Sequence, residues 1–246
     1  VLKEDTKWAA AGHEIAWDEL IVPTPTYIVE KEKINGTVSV AENKNEISVS
    51  GNNFKYVIGK NSGSLNSIQF KGTEYLKKGP AFNVWRAPIA NDIDPWGSYE
   101  FTKEKMTPGL GRSVDNQLRT LGMRDLEVEV DEIEVLQNSD SKVTIRIKAY
   151  SNSSLDASRK RTEWFSSSAF ERNETWTFLA DGTIELEQEI IPHGPMPEML
   201  QKIGLQLELP KEFRNVEWSG RGPFETYPDR KSGAKVGVYK SDTDEM

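Results

Sequence analysis

The sequence predicts an all-β chain folded as an antiparallel sandwich, and three observations carry that expectation. First, apolar residues alternate with Glu, Lys, Arg or Thr in run after run: Val128, Val130, Ile133 and Val135, then Val143, Ile145 and Ile147, then Trp176 and Phe178, then Ile184 and Leu186, then Leu205, Leu207 and Leu209. Such alternation buries one face of a strand and wets the other. Second, turn signals such as Asp181-Gly182 separate the runs, at the spacing of a sandwich. Third, a single stretch reads convincingly as a helix: over 113–121, Ser113 is placed to cap it, Leu118 and Leu121 share a face, and Gly122 suits a left-handed C-terminal position.

In chain order, the alternation Ile15, Trp17 and the apolar run Leu20-Ile-Val22 predict a strand that Pro23 and Pro25 end. We read residues 1–28 as the end of one β domain and 29–246 as a second, with a Glu- and Lys-rich linker near 28–34. Val38, Val40, Ile47 and Val49 around Glu42-Asn-Lys-Asn45 predict a hairpin, and Phe54 to Ile58 with Leu65 to Phe70 predict another, reversed at Asn61-Ser-Gly63. One more short strand precedes residue 83. The stretch 151–168 reads as a polar insertion, and the charged faces of the later strands as solvated β surface.

Composition limits the function. With 36% hydrophobic residues and seven tryptophans, the chain of 246 residues buries a full core, while a mean hydropathy of −0.61 gives it a polar surface. A net charge of −8 argues against nucleic acid and anionic membranes as partners, since binding phosphates by counterion release requires a basic face. The absence of cysteine excludes disulfides, thiolate metal sites and cysteine nucleophiles. His13 and His193 are the only histidines, with no metal-ligand spacing beside either. No nucleophile elbow, phosphate loop or dinucleotide fingerprint is present. Nor does carboxylate spacing nominate the pair of a retaining glycosidase, which must stand about 5 Å apart.

Two segments stand outside the strand pattern. In Asn83 to Ser98, Pro88 and Pro95 break the backbone among Trp85, Arg86, Asn91, Asp92, Asp94 and Trp96. Such a loop can offer a ring and planar polar groups to a sugar. It can equally be a structural network, with the tryptophans in the core and Arg86 paired to Asp92 or Asp94. In Trp218 to Arg230, Gly220, Gly222 and Pro223 predict a tight turn that presents Glu225, Tyr227, Asp229 and Arg230. Arg230 can pair with Asp229, with Asp92 or with a ligand hydroxyl. Because each loop can satisfy charges in the other, we expect the two to lie close together.

Trp85-Arg-Ala-Pro88 followed by Asn91-Asp92, and Gly220-Arg-Gly-Pro223 followed by Glu225-Thr-Tyr-Pro-Asp-Arg230, resemble the signature segments of the small-chain, C-terminal domain of family 2 β-galactosidases. Ala11-Gly-His13 with Trp17 is similar to the end of the Ig-like domain that precedes it. The three motifs occur in order over nearly the whole chain. Pro95-Trp96-Gly97 departs from the pattern.

The resemblance implies a supersandwich of galactose-mutarotase type, an Ig-like remnant before it, and truncation at the C-terminus. It implies a fragment of a retaining enzyme that hydrolyses terminal β-D-galactosides, with both catalytic glutamates in a TIM barrel upstream and none here. Trp85, Arg86, Asn91, Asp92, Trp96, Glu225, Tyr227, Asp229 and Arg230 would bind carbohydrate or line the cleft. The implied partners are the barrel and Ig-like domains of the same enzyme, a carbohydrate substrate and further copies of the chain. No cofactor is implied for the fragment, while a divalent cation is allowed for the whole enzyme, in bacterial cytoplasm or periplasm. The rival reading is a free-standing carbohydrate module or a mutarotase-type epimerase, for which His193 and Glu225 are the acid–base pair available.

Overall fold

A computed structural model describes residues 1–20, 36–93, 113–153, 168–227 and 230–243. The chain forms two compact units, Val1–Glu32 with Lys211–Met246, and Lys33–Pro210.

The larger unit is the expected sandwich. Strands β1 (Ser39–Glu42), β2 (Glu46–Ser50), β3 (Phe54–Gly59), β4 (Ser64–Phe70) and β5 (Thr73–Glu74) form an antiparallel meander in that order. The second sheet runs β10-β9-β8-β7, from β7 (Leu126–Ser139), β8 (Lys142–Ser153), β9 (Ala169–Leu179) and β10 (Ile184–His193). Ile47, Val49, Ile58 and Leu65 from the first sheet meet Val143, Ile145, Ile147 and Phe178 from the second in one hydrophobic core. Each such side chain stabilises the fold by about 1.5–3 kcal/mol when fully removed from water.

The turns follow the sequence closely. At Asp181-Gly182 the aspartate Oδ1 accepts the Thr183 N–H at 2.8 Å, and Gly182 supplies φ +93. The Tyr56 hydroxyl donates to Gly182 O at 2.6 Å. Burial, with the Asp181 charge adding to it, pushes the phenol above its ordinary pKa and keeps it a donor.

Two short strands, β5 and β6 (Lys78–Asn83), stand where one was expected. β6 pairs with β11 (Gly204–Glu208), and the register slips between Gln206 and Glu208. Gly79 and Pro80 explain the irregularity. A Cβ at Gly79 would stand 1.8 Å from the Leu65 carbonyl oxygen, so only glycine lets β6 approach β4 this closely. Pro80 has no N–H to give a ladder, which suits it to a bulge.

A second core joins Phe82, Val84, Leu118, Met123 and Phe170. The predicted helix is there as α2 (Val114–Thr120), with Leu118 at its buried centre. Gly122 at φ +68 ends it, while Met123 N donates to Leu118 O at 2.8 Å. Of the polar insertion, 154–167 lies outside the described residues.

The solvated-face expectation fails on β9. Phe170, Arg172, Glu174, Trp176 and Phe178 share its core-facing side, and Arg172 and Glu174 are 3% and 2% exposed. Arg172 Nη1 pairs with Glu174 Oε1 at 2.6 Å. Trp176 Nε1 and Gln188 Nε2 donate to the same carboxylate at 2.9 and 2.7 Å, so the buried anion is well supplied. Period two locates a face, but it cannot tell which charged residues on that face will be paired.

In the smaller unit β12 (Asn215–Gly222) and β13 (Lys235–Asp242) form an antiparallel hairpin, with a 3₁₀ turn at Lys231–Gly233. Gly220 and Gly222 therefore lie in a ladder, opposite Gly237 and Lys235, and not in the tight turn expected of them. A Cβ on Gly222 would stand 2.7 Å from the Tyr239 ring, which is the constraint that glycine meets here. The Trp218 and Tyr239 rings stack at 5.4 Å across the hairpin.

Residues 13–20, the described part of the expected N-terminal strand, join no ladder. Their bonds to the hairpin include the side chains Glu14 to Lys235 at 2.7 Å and Glu19 to Arg221 at 3.2 Å. Ile15 and Leu20 are 60% and 85% exposed, so the alternation has no sheet face to bury against.

Candidate functional site

The first segment is fixed by side chains bonding to backbone. β6 ends at Asn83, whose Oδ1 accepts the Trp85 N–H at 2.7 Å, and Gln201 Oε1 accepts the Arg86 N–H at 3.2 Å. The Arg86 guanidinium then forks onto Asp92, 2.6 Å from Nη1 to Oδ2 and 3.4 Å from Nη2 to Oδ1. Asp92 Oδ2 also accepts the Ile89 N–H at 2.9 Å, while Asp92 N donates to Ile89 O at 2.9 Å. That reciprocal pair starts α1 (Ala90–Ile93), a helix in a segment where no regular element was expected. Four residues are too few to show a period, and a carboxylate reaching back supplies the order instead.

Of the two pairings open to Arg86, the structure has Asp92, while Asp94 lies outside the described residues. The side chains are 17% and 11% exposed, so the pair is held largely away from water. Trp85 packs against the second core, with the Arg124 guanidinium 4.9 Å over its ring. Asn91 sits in α1, and Trp96 lies outside the described residues. Beside Trp85 a groove of about 330 Å³ runs along β6 and β11, lined among others by Lys78, Asn83, Arg124, Gln206 and Glu208.

In the second segment Arg230 Nη1 meets Glu225 Oε1 at 2.7 Å, with the side chains 60% and 55% exposed. Arg230 N donates to Tyr227 O at 2.8 Å, and Asp229 lies outside the described residues. The two segments belong to different units.

The arginine that organises the second segment is one the sequence reading passed over. Arg221 Nη1 donates to Ala234 O at 2.7 Å and to Lys231 O at 3.2 Å, closing the 3₁₀ turn, and also meets Glu19. Its place between Gly220 and Gly222, in a run otherwise free of bulk, was the available signal.

His193 and Glu225, the pair named for an epimerase, are each engaged within their own unit. His193 Nε2 lies 3.1 Å from Glu171 Oε2, and Lys148 Nζ stands 3.6 Å from the same carboxylate. Desolvation alone would raise the Glu171 pKa, but the His193 hydrogen bond and the Lys148 charge outweigh it and hold the pKa below its ordinary value. Chiefly through the Glu171 charge, the Lys148 pKa is raised in return. Among the described residues no group of three or more His, Asp or Glu side chains is arranged to hold a metal ion.

The sequence profile of the beta galactosidase small chain family matches residues 50–246. The chain belongs to that family. The match takes in both segments described above, the one with the Arg86–Asp92 fork and the one with the exposed Glu225–Arg230 pair. Among relatives of this small chain, a beta-galactosidase of Priestia megaterium is 29% identical over 245 residues, covering 100% of the chain and 20% of that protein. One from Lactobacillus delbrueckii subsp. bulgaricus is 27% identical, covering 97% of the chain and 20% of the relative. One from Vibrio cholerae is 26% identical, covering 99% and 22%. The small chain thus spans about a fifth of the length of these relatives.

Proposed function

We propose that this chain is part of a retaining β-galactosidase, one that hydrolyses terminal β-D-galactosides, and that it walls the substrate cleft and stabilises the assembly without supplying the catalytic carboxylates. The observation that carries the reading is the family match over residues 50–246, with relatives named beta-galactosidase that are about five times as long. Retention requires a nucleophilic carboxylate and an acid about 5 Å apart, in a cleft that excludes bulk water. In this reading both belong to the rest of the enzyme, as does any divalent cation. The small chain contributes rigid wall: the Arg86–Asp92 fork sets the path of the first segment, so that its remaining side chains meet the substrate or the neighbouring domain in one geometry.

The test compares two preparations. The full-length protein should cleave a nitrophenyl β-galactoside, and the purified 246-residue chain should not. Turnover by the chain itself, surviving removal of host enzyme, would place the chemistry here and overturn the assignment.

A further inference from the structure

We propose that the leucine face of β11 is a docking surface, and that its occupant is an extended segment of the full-length protein from outside these 246 residues, pairing along β11 as a further strand. Residues opposite each other in an antiparallel pair share a face of the sheet. In the register of β6 with β11, Leu205 stands opposite Phe82. Phe82 is 6% exposed and belongs to the second core, whereas Leu205 is 40% exposed. The extra residue at the register slip lies on β6, where Ala81 to Lys78 runs against Gln206 to Glu208, so β11 keeps its own alternation. Leu207 and Leu209 continue the leucine face, each 47% exposed, and Met199 and Ile203 just before the strand are exposed as well. One side of this small sheet is therefore covered on β6, where Pro80 and Phe82 are buried, and bare on β11.

The polar positions of β11 are already used and the apolar ones are not. Gln206 Oε1 accepts from Asn83 Nδ2, and Glu208 meets Lys77 at 3.3 Å. Among the described residues β11 pairs with β6 alone, which leaves the backbone groups of its other edge for a partner strand. Natural sheets guard such an edge with lysine or an inward charge, and three alternating leucines do the reverse. A strand added there would bring alternate side chains onto Leu205, Leu207 and Leu209 while its main chain extends the ladder. The length of the relatives chooses the occupant. They are about five times as long as this chain, and a segment tethered in the same polypeptide reaches an effective concentration of order millimolar, which a second copy in dilute solution does not. The proposal rests on the reading of the chain as one part of such a longer protein, and not on the hydrolytic reaction.

The test is photo-crosslinking in the full-length protein, with p-benzoylphenylalanine in place of Leu207 and, in a second variant, of Leu205. An equal mixture of isotopically labelled and unlabelled copies is irradiated, and the adducts are mapped by mass spectrometry. The principal adduct should join position 207 or 205 to a segment outside residues 1–246 of the same copy, and its yield should fall tenfold or more when the protein is unfolded in urea before irradiation. Adducts joining labelled to unlabelled copies would make the occupant a second copy of the chain. Adducts within residues 1–246 would mean that the chain covers the face itself, and no adduct from either position would leave it in water. Each of these three results overturns the proposal. Hydrolysis of a nitrophenyl β-galactoside by wild-type full-length protein is measured alongside: its loss would sink the earlier reading without touching the adduct, and normal hydrolysis without the adduct would sink this one alone.

Discussion

The two signature segments use the same residue types to opposite effect. In the first, an arginine and an aspartate six positions apart form a fork held largely out of water, and the carboxylate doubles as the start of α1. In the second, an arginine and a glutamate five positions apart meet at a comparable distance in the open, and a different arginine, Arg221, does the structural work. Removing one partner of a buried pair strands a desolvated charge, at a cost of about 3–5 kcal/mol, whereas an exposed pair contributes about 0–1 kcal/mol. Equal geometry at the contact therefore says little about importance. Exposure decides it.

The largest effect should come at the root of the first segment. Gly79→Val would drive a side chain into the Leu65 carbonyl, a backbone group with nowhere to move, so we expect a loss of more than about 4 kcal/mol in denaturant unfolding, or no folded protein. A well-folded Gly79→Val protein would mean that β6 and β4 can separate, and that the rigidity ascribed to the segment has another source. Next comes Arg86→Ala, expected to lower stability by about 3 kcal/mol by leaving Asp92 unpaired, with a smaller effect on substrate affinity in the whole enzyme. An unchanged melting temperature with reduced activity would reverse the comparison and make Arg86 a direct substrate contact. The smallest effect is expected for Arg230→Ala, a change of less than about 0.5 kcal/mol on the same measurement. A loss of 2 kcal/mol or more there would show that Glu225 is not its principal partner.

The same contrast explains which site residues were legible. From the sequence Arg86 could be given two partners, Asp92 or Asp94, because both carboxylates follow it in one Pro-broken loop, and the structure has it on Asp92. Arg221 could not, because the carbonyls it reaches belong to Lys231 and Ala234, brought to it by the hairpin pairing of β12 with β13. Gln201 and Gln206 were invisible for a similar reason. They reach Arg86 and Asn83 from more than a hundred residues away.

What the sequence determined by itself was the repeating unit of the fold. The period-two runs after residue 37, the αL glycines at Gly63, Gly122 and Gly182, and the helix over α2 are local consequences of side-chain polarity and backbone sterics, and appear in the structure, whereas the alternation at residues 13–20 forms no strand. Tertiary structure alone decided which charges were buried and which glycines were irreplaceable. Arg172 and Glu174 look like surface residues until Trp176 and Gln188 converge on the same carboxylate. Gly222 looks like a turn residue until the Tyr239 ring arrives beside it, and no local signal at Gly79 announces the Leu65 backbone that excludes a side chain there. Period and propensity act over a few neighbouring residues, whereas desolvation and steric exclusion depend on what the rest of the chain brings into contact.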